Sequence, residues 1–294
     1  MENARVASGP LGLEEIARFE RDGWLLLKAA LEPAMLAALA ADFEGWVEAS
    51  RVETGAYGQQ SDGRPRFSLE PGHSAHRPAL RRIASPVELS PNYLAVMRDG
   101  KAVDAVAQLI GPAIRFNNSK INSKHPGTAT AVKYHQDFLF EPHSNDDLIT
   151  VLYFLDDVTA DNGPLEVVSG SHTGPLHDHW HEGVFTGAVS AAVGGAAASK
   201  SVPCRGPAGS ACLMHTRLLH GSAPNLSAAP RTLFIVEYCA EDALPLQRNH
   251  IPSRYAGELV RGTASNRVRC SSYEMAFPEV PEGASFFEQQ VKGD

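Results

Sequence analysis

His135, Gln136 and Asp137 set an imidazole and a carboxylate two residues apart. In an extended strand, positions i and i+2 share a face, so both side chains can bind one ion together, while Tyr134 and Phe138 point the other way. His220 lies 83 residues beyond Asp137, in the string His220-Gly221-Ser222 that follows the apolar run Ala211–Met214. That separation lets it arrive from a different strand. Two imidazoles and one carboxylate on one face are the ligand set of non-haem iron(II) oxygenases. Such a set leaves three positions open, two for a bidentate 2-oxo acid and one for dioxygen. Arg231, eleven residues past His220, opens the apolar run Thr232–Val236. Its guanidinium is a planar fork matched to a carboxylate. A 2-oxo acid that chelates a metal at one end and carries a second carboxylate needs such a partner.

These residues need a scaffold. Leu13, Ile16, Ala17 and Phe19 give a short helical stripe that ends at Gly23, and Trp24–Lys28 is a compact apolar run suited to a buried strand. Glu32 and Pro33 open a second helix, whose apolar face runs through Leu36, Leu39, Ala40, Phe43, Trp46 and Val47. Residues 51–92 read as irregular, with a Gly-, Ser- and Arg-rich loop from Glu53 to His76. Tyr93–Leu109 reads as one amphipathic helix closed by Gly111-Pro112. From Ala113 onward, short β-type runs alternate with turn residues: Ile114–Asn122, Ala131–Asp137, Leu148–Leu155, Leu165–Val168, Ser210–Met214 and Thr232–Cys239. This spacing predicts a sandwich or double-sheet barrel rather than βαβ units. Gly187–Ala198, mostly Ala, Gly, Ser and Val, reads as part of a mobile loop, with a short Ala helix as the alternative.

Composition removes several classes of function. The 294 residues carry 26 Lys and Arg against 34 Asp and Glu, a net charge of −8. An acidic chain is poorly suited to sequence-independent binding of a phosphate backbone, so no nucleic-acid partner is expected. No apolar run approaches 18 residues, which excludes a helical membrane span. Met1–Gly9 is polar and lacks a signal-peptide core. Cys204, Cys212, Cys239 and Cys270 form no Cys-x-x-Cys pair and read as thiols of a reducing compartment, so a cytoplasmic location is expected.

The ordered strings resemble a known family. They are Lys133-Tyr134-His135-Gln136-Asp137, then Asn162 to His172 (NGPLEVVSGSH), then Leu219-His220-Gly221-Ser222 with Asn225, then Arg231. Together with Phe19, Asp22, Gly23 and Trp24 near the start, they are similar to the phytanoyl-CoA dioxygenase family of iron(II)- and 2-oxoglutarate-dependent oxygenases. The resemblance covers roughly residues 12–240. It implies a mainly β fold, a double-stranded β-helix or jelly roll with flanking helices. It implies one domain over 1–294: a helical part at about 12–112, a barrel core at 113–240 with a lid insertion at about 172–207, and a C-terminal extension at 241–294. His135, Asp137 and His220 would hold Fe(II), and 2-oxoglutarate and dioxygen would be cosubstrates. Four further cosubstrate contacts are implied by position beside Arg231: Ser222, Lys124, Gln136 and Tyr153. The carboxylate of Asp137 fills the position that halogenating relatives leave vacant, which favours hydroxylation.

The expected activity is that of an oxidoreductase hydroxylating an unactivated carbon of a small metabolite or biosynthetic intermediate. The alternatives are a cupin-type zinc or manganese enzyme and a non-catalytic 2-oxoglutarate or metabolite sensor. The lid expected to exclude water comprises 172–207 and the Glu53–His76 loop. Several other features read as structural. His172 reads as a turn residue. His215 lacks the following Gly-Ser that marks His220. His177, His179 and His181 alternate as a second metal site would, but read as a polar loop. Arg248, Arg254, Arg261, Arg267 and Arg269 read as solvated faces, with an anion pocket as the alternative.

Overall fold

Ten consecutive buried residues, Arg231–Ala240, run through the middle of the molecule, and the elements around them are best taken in chain order. The computed structural model describes residues 9–281 and 287–291. The polar start at Met1–Gly9 lies outside the described residues except for Gly9. The chain begins with α1 (Leu13–Asp22), β1 (Trp24–Leu27) and α2 (Pro33–Ala49). Gly23 ends α1 at φ 77°, and a side chain there would collide with the His172 ring. Then come β2 (Phe67–Leu69), β3 (Leu80–Ala84), α3 (Pro91–Arg98) and α4 (Lys101–Ile110).

Two expectations are corrected here. The stretch read as irregular, 51–92, contains β2 and β3, whose short mixed runs carry little alternation. The single helix expected over Tyr93–Leu109 is two helices, because Gly100 sits at φ 134°, outside the helical region. Ser90 caps the first of them, its hydroxyl oxygen accepting from the Asn92 and Tyr93 amides.

The barrel strands follow: β4 (Ile114–Lys124), β5 (Val132–His135), β6 (Leu148–Phe154) and β7 (Leu165–Val167). After these come the small hairpin β8 (Trp180–His181) and β9 (Val184–Phe185), helix α5 (Ala191–Ala198) and β10 (Val202–Cys204). β11 (Ala211–His215), β12 (His220–Ser222), β13 (Arg231–Ala240), β14 (Leu259–Arg261) and α6 (Phe287–Val291) are the last elements among the described residues. The Ala-rich segment is thus helical over α5, with the Ser190 hydroxyl capping its start.

The large antiparallel sheet has the order β1-β11-β6-β13-β4-β3-β2, with β14 also on β4, and the small one the order β10-β7-β12-β5. Face to face they form the jelly roll. β1, expected as a strand at Trp24–Lys28, and β2 and β3, from the stretch expected to be irregular, extend the large sheet at both edges. One face of that sheet packs on the helices through Leu39, Tyr93, Val106, Val151, Phe234 and Tyr238. The other turns inward, where Leu152, Leu165, Met214, Leu233 and Ile235 from both sheets meet. Among the described residues no helix is long and apolar enough to cross a membrane.

Candidate functional site

β5 and β12 are neighbours in the small sheet, and their register sets His135 directly opposite His220. Their ring centroids are 4.2 Å apart. Asp137 follows at the first position of a 3-10 turn just past the end of β5, not within the strand as the spacing predicts. The turn still carries its carboxylate to the same side. Oδ1 of Asp137 lies 3.4 Å from Nε2 of His135 and 3.7 Å from Nε2 of His220. One donor atom from each of the three residues falls within 4.8 Å of the others, and all three are buried.

The surroundings fix the chemistry of each donor. His135 Nδ1 donates to the Lys133 carbonyl at 2.8 Å, and His220 Nδ1 donates to the Leu218 carbonyl at 2.9 Å. A carbonyl can only accept, so the proton of each neutral ring sits on Nδ1 and the Nε2 lone pair faces inward. Burial, with His135 beside it, pushes His220 down to about 4, so this ring is uncharged at neutral pH. Burial disfavours ionisation of Asp137, yet its surroundings, Lys120 among them, hold its pKa well below the usual carboxylate range. Two lone pairs and an anionic oxygen therefore converge at distances where they repel unless a cation lies between them. Cis ligands on an octahedral ion with bonds of about 2.1 Å are about 3 Å apart, close to the spacing seen. The donor set fits a divalent metal of the iron class.

Thr150, on β6, donates its hydroxyl to Asp137 Oδ2 at 2.9 Å, which aims Oδ1 at the two imidazoles. Thr150→Val keeps the shape and removes the donor. It is expected to weaken divalent-metal affinity about tenfold, read by calorimetric titration with Mn(II).

The same cavity continues away from the triad between the two sheets. Its empty space, mouth included, is ≈ 600 Å³. Alternate residues of β4 (Lys120, Asn122, Lys124) and of β13 (Arg231, Leu233, Ile235) line it, with Thr150, Leu152, Leu165, Met214, Ser222 and Phe287. Register pairs Arg231 with Lys124 at the far end. Arg231 is 3% exposed, and its Nε donates to the Gly163 carbonyl at 3.1 Å. Lys124 Nζ donates to Ser222 Oγ at 2.7 Å and to the Ser222 and Ala223 carbonyls. Burial, together with the charge of Arg231, lowers Lys124 to about 6. Gly163 has φ 74°, and a Cβ there would lie 2.6 Å from the Ala223 carbonyl oxygen. The Asn162-Gly163 turn must stay this small for its carbonyl to reach Arg231.

Beyond the triad in the other direction lies a buried acid pair. Asn118 Nδ2 donates to both Glu141 oxygens, and Asn117 Nδ2 donates to Glu141 and to Glu237 Oε1 at 2.6 Å. Burial and the neighbouring Glu141 push Glu237 well above the usual carboxyl range, so it keeps a proton to share.

Of the expected site residues, the structure gathers His135, Asp137, His220, Arg231, Ser222 and Lys124 around one cavity. Gln136 and Tyr153 fall elsewhere. Gln136 lies between the two metal-facing residues and points away. Its amide donates to the Pro175 and Arg217 carbonyls, and its oxygen accepts from the His177 amide. Tyr153 has the parity of Val151, not of Thr150 and Leu152, and its ring stacks on Phe234 on the helix side of the large sheet. Lys120, Thr150, Glu141, Glu237 and Phe287 were not anticipated. The alternation 118, 120, 122, 124 on β4 was the available signal for Lys120; nothing local marked Phe287.

The residues read as structural behave so. His215 accepts from the Arg217 amide and packs on His172. His179 Nε2 accepts from the Gln136 amide and His181 bonds the Ala188 carbonyl, and no second metal cluster exists among the described residues. Arg248, Arg261 and Arg269 pair separately with Asp62, with Asp99 and Asp104, and with Asp147 and Asp242.

Residues 19–233 match the family model described as phytanoyl-CoA dioxygenase. The chain is 36% identical over 203 residues to a probable alpha-ketoglutarate-dependent hypophosphite dioxygenase of Stutzerimonas stutzeri, covering 68% of this chain and 70% of that protein. It is 30% identical over 253 residues to L-proline trans-4-hydroxylase of Streptomyces griseoviridis, covering 79% and 87%. Its fold is similar to the iron-bound crystal structure of EctD from S. alaskensis, with a TM-score of 0.69 at 20% identity over 94% of this chain and 92% of that one.

Proposed function

The chain belongs to the phytanoyl-CoA dioxygenase family of iron(II)- and 2-oxoglutarate-dependent oxygenases, and we propose that it hydroxylates an unactivated carbon of a small metabolite or biosynthetic intermediate. As a dioxygenase of this class it uses Fe(II), 2-oxoglutarate and dioxygen. In the reading proposed here, His135, Asp137 and His220 hold the metal, and Arg231, Lys124 and Ser222 receive the distal carboxylate of 2-oxoglutarate. The observation that carries it is the shared cavity: a triad of metal donors at one point and the buried Arg231–Lys124 pair at the far end.

When bound, the metal and its cosubstrate supply oxygen activation coupled to decarboxylation of the 2-oxo acid to succinate and carbon dioxide. The chain does the rest. Nδ1 hydrogen bonds to two backbone carbonyls keep both Nε2 lone pairs inward. Thr150 holds the carboxylate in one orientation. Arg231 and Lys124 set the length of the cosubstrate that fits, and Leu152, Leu165, Met214, Leu233 and Ile235 keep the space between them dry. All four cysteines are free, in keeping with a cytoplasmic site of action.

A dianion drawn to Lys124 favours its charged form. With Lys124 at about 6 before binding, the chain takes up a proton on binding 2-oxoglutarate above that pH. Affinity is therefore expected to fall as pH rises from about 6 towards 9. Calorimetry of Mn(II)-loaded protein at pH 7.5, in two buffers of different ionisation enthalpy, should register the uptake. Lys124→Met should abolish it. No uptake in the wild type would remove Lys124 from the cosubstrate site.

The reading as a whole is tested by a succinate-release screen over a panel of small metabolites, scored above the substrate-free background. Anaerobic Fe(II) with 2-oxoglutarate should give a weak visible charge-transfer band. A cupin-type zinc enzyme gives neither band nor oxygen dependence, and a sensor gives binding without succinate.

A further inference from the structure

β5 is the outermost strand of the small sheet, and an edge strand leaves backbone groups without a strand partner. The final helix, α6, covers that edge. The Lys133 amide donates to the side-chain oxygen of Gln290 at 3.1 Å, and Lys133 Nζ donates to the Gln290 carbonyl at 2.8 Å. Gln290 Nε2 in turn donates to the Gly187 carbonyl at 3.1 Å, and Gln289 Nε2 to the Glu279 carbonyl at 3.1 Å. α6 thus grips Lys133, the residue whose carbonyl orients the His135 ring.

From this anchored helix Phe287 joins the wall of the cavity that His135 and Asp137 also line, with Val132 packed against its cluster. It is 7% exposed and packs on Phe140 and Phe185. On its other side the Arg81 guanidinium lies 4.6 Å from the ring centroid, with Arg81 itself bonded to Ser68 Oγ at 3.1 Å. A helix that served only to cover a strand edge would need the Gln290 contacts. It would not need an aromatic ring that lines the cavity holding the metal donors and is steadied by a cation from β3.

We propose that Phe287 is a specificity-determining wall of the cavity and that α6 is the cap that must shift before a molecule enters or leaves. The proposal rests on the reading of His135, Asp137 and His220 as the metal site. Phe287 sets how much space remains above the metal, and the Gln290–Lys133 contacts set how readily the cap lifts.

The test uses Co(II) as the probe of passage, with exit followed by transfer to an excess of chelator and entry by stopped-flow absorbance. Phe287→Ala and Gln290→Ala should each speed entry and exit at least tenfold while leaving the Co(II) Kd within about twofold. A barrier lowered from both sides changes rates without changing affinity. Phe287→Leu, which keeps bulk, should restore most of the slow exit. Two competitive 2-oxoglutarate analogues on Mn(II)-loaded protein then separate wall from cap. A bulky N-oxalyl amino acid should bind at least tenfold more tightly to Phe287→Ala than to wild type, and N-oxalylglycine equally well to both. Gln290→Ala, which retains the ring, should keep the wild-type preference. Unchanged rates in both variants, or a Kd that moves in step with exit, overturns the cap. Unchanged size preference in Phe287→Ala overturns the wall. A wild-type chain that takes up no Co(II) defeats the metal reading, and the cap falls with it.

Discussion

Asp137→Ala is expected to lower substrate-dependent succinate formation at least a thousandfold, a loss of about 4 kcal/mol of transition-state stabilisation. The size of the effect follows from where the carboxylate stands. It carries the only negative charge among the three converging donors, its Oδ1 lying 3.4 Å and 3.7 Å from two imidazole nitrogens. Without it, a divalent cation would face two neutral rings in a buried site, with no charge to offset its desolvation. The fold should tolerate the change, since Asp137 caps no sheet and sits in a single 3-10 turn. A far-ultraviolet spectrum close to wild type, with loss of both turnover and the anaerobic charge-transfer band, is the expected pattern. Retention of the band together with succinate formation would remove Asp137 from the metal site. Asp137→Glu should restore little, because the extra methylene moves the oxygen off the line that Thr150 fixes.

Arg231→Met should act on the cosubstrate rather than on the chemistry. The KM for 2-oxoglutarate is expected to rise about a hundredfold, with kcat changed only a few-fold. That corresponds to about 2.7 kcal/mol, the range for a charge-assisted hydrogen-bonded contact in a buried site. Arg231→Lys keeps the charge but loses the fork and the bond to the Gly163 carbonyl, so about a tenfold rise is expected. Steady-state kinetics at saturating substrate, varying 2-oxoglutarate alone, separates the two constants. A fall in kcat with unchanged KM would place the carboxylate elsewhere.

The triad and Arg231 were legible because their information is local: an i, i+2 pair, a His-Gly-Ser string, and an arginine at the head of an apolar run. The order of these strings implied the barrel, and the barrel is what the chain forms. Gln136 and Tyr153 were misplaced for one reason. Each was assigned by its neighbourhood in sequence, and strand parity sends each to the opposite face. The helix break at Gly100 was legible in principle, since glycine is the weak point of a helix, but the apolar stripe on either side runs on in phase. Phe287 could not be found from its surroundings. Its significance comes from a contact across some 150 residues, made on an edge that exists only once β5 and β12 have paired.

β13 offers a view of how such a protein can change. Arg231, Leu233 and Ile235 face the cavity, while Phe234, Val236 and Tyr238 face the helices. The two sets interleave on one strand yet answer to separate demands. Substitution of Leu233 or Ile235 reshapes the cavity wall, while Arg231 keeps its place at the far end and the second set holds the helices. The cavity wall on this strand can therefore change by single steps without loosening the helix side of the sheet.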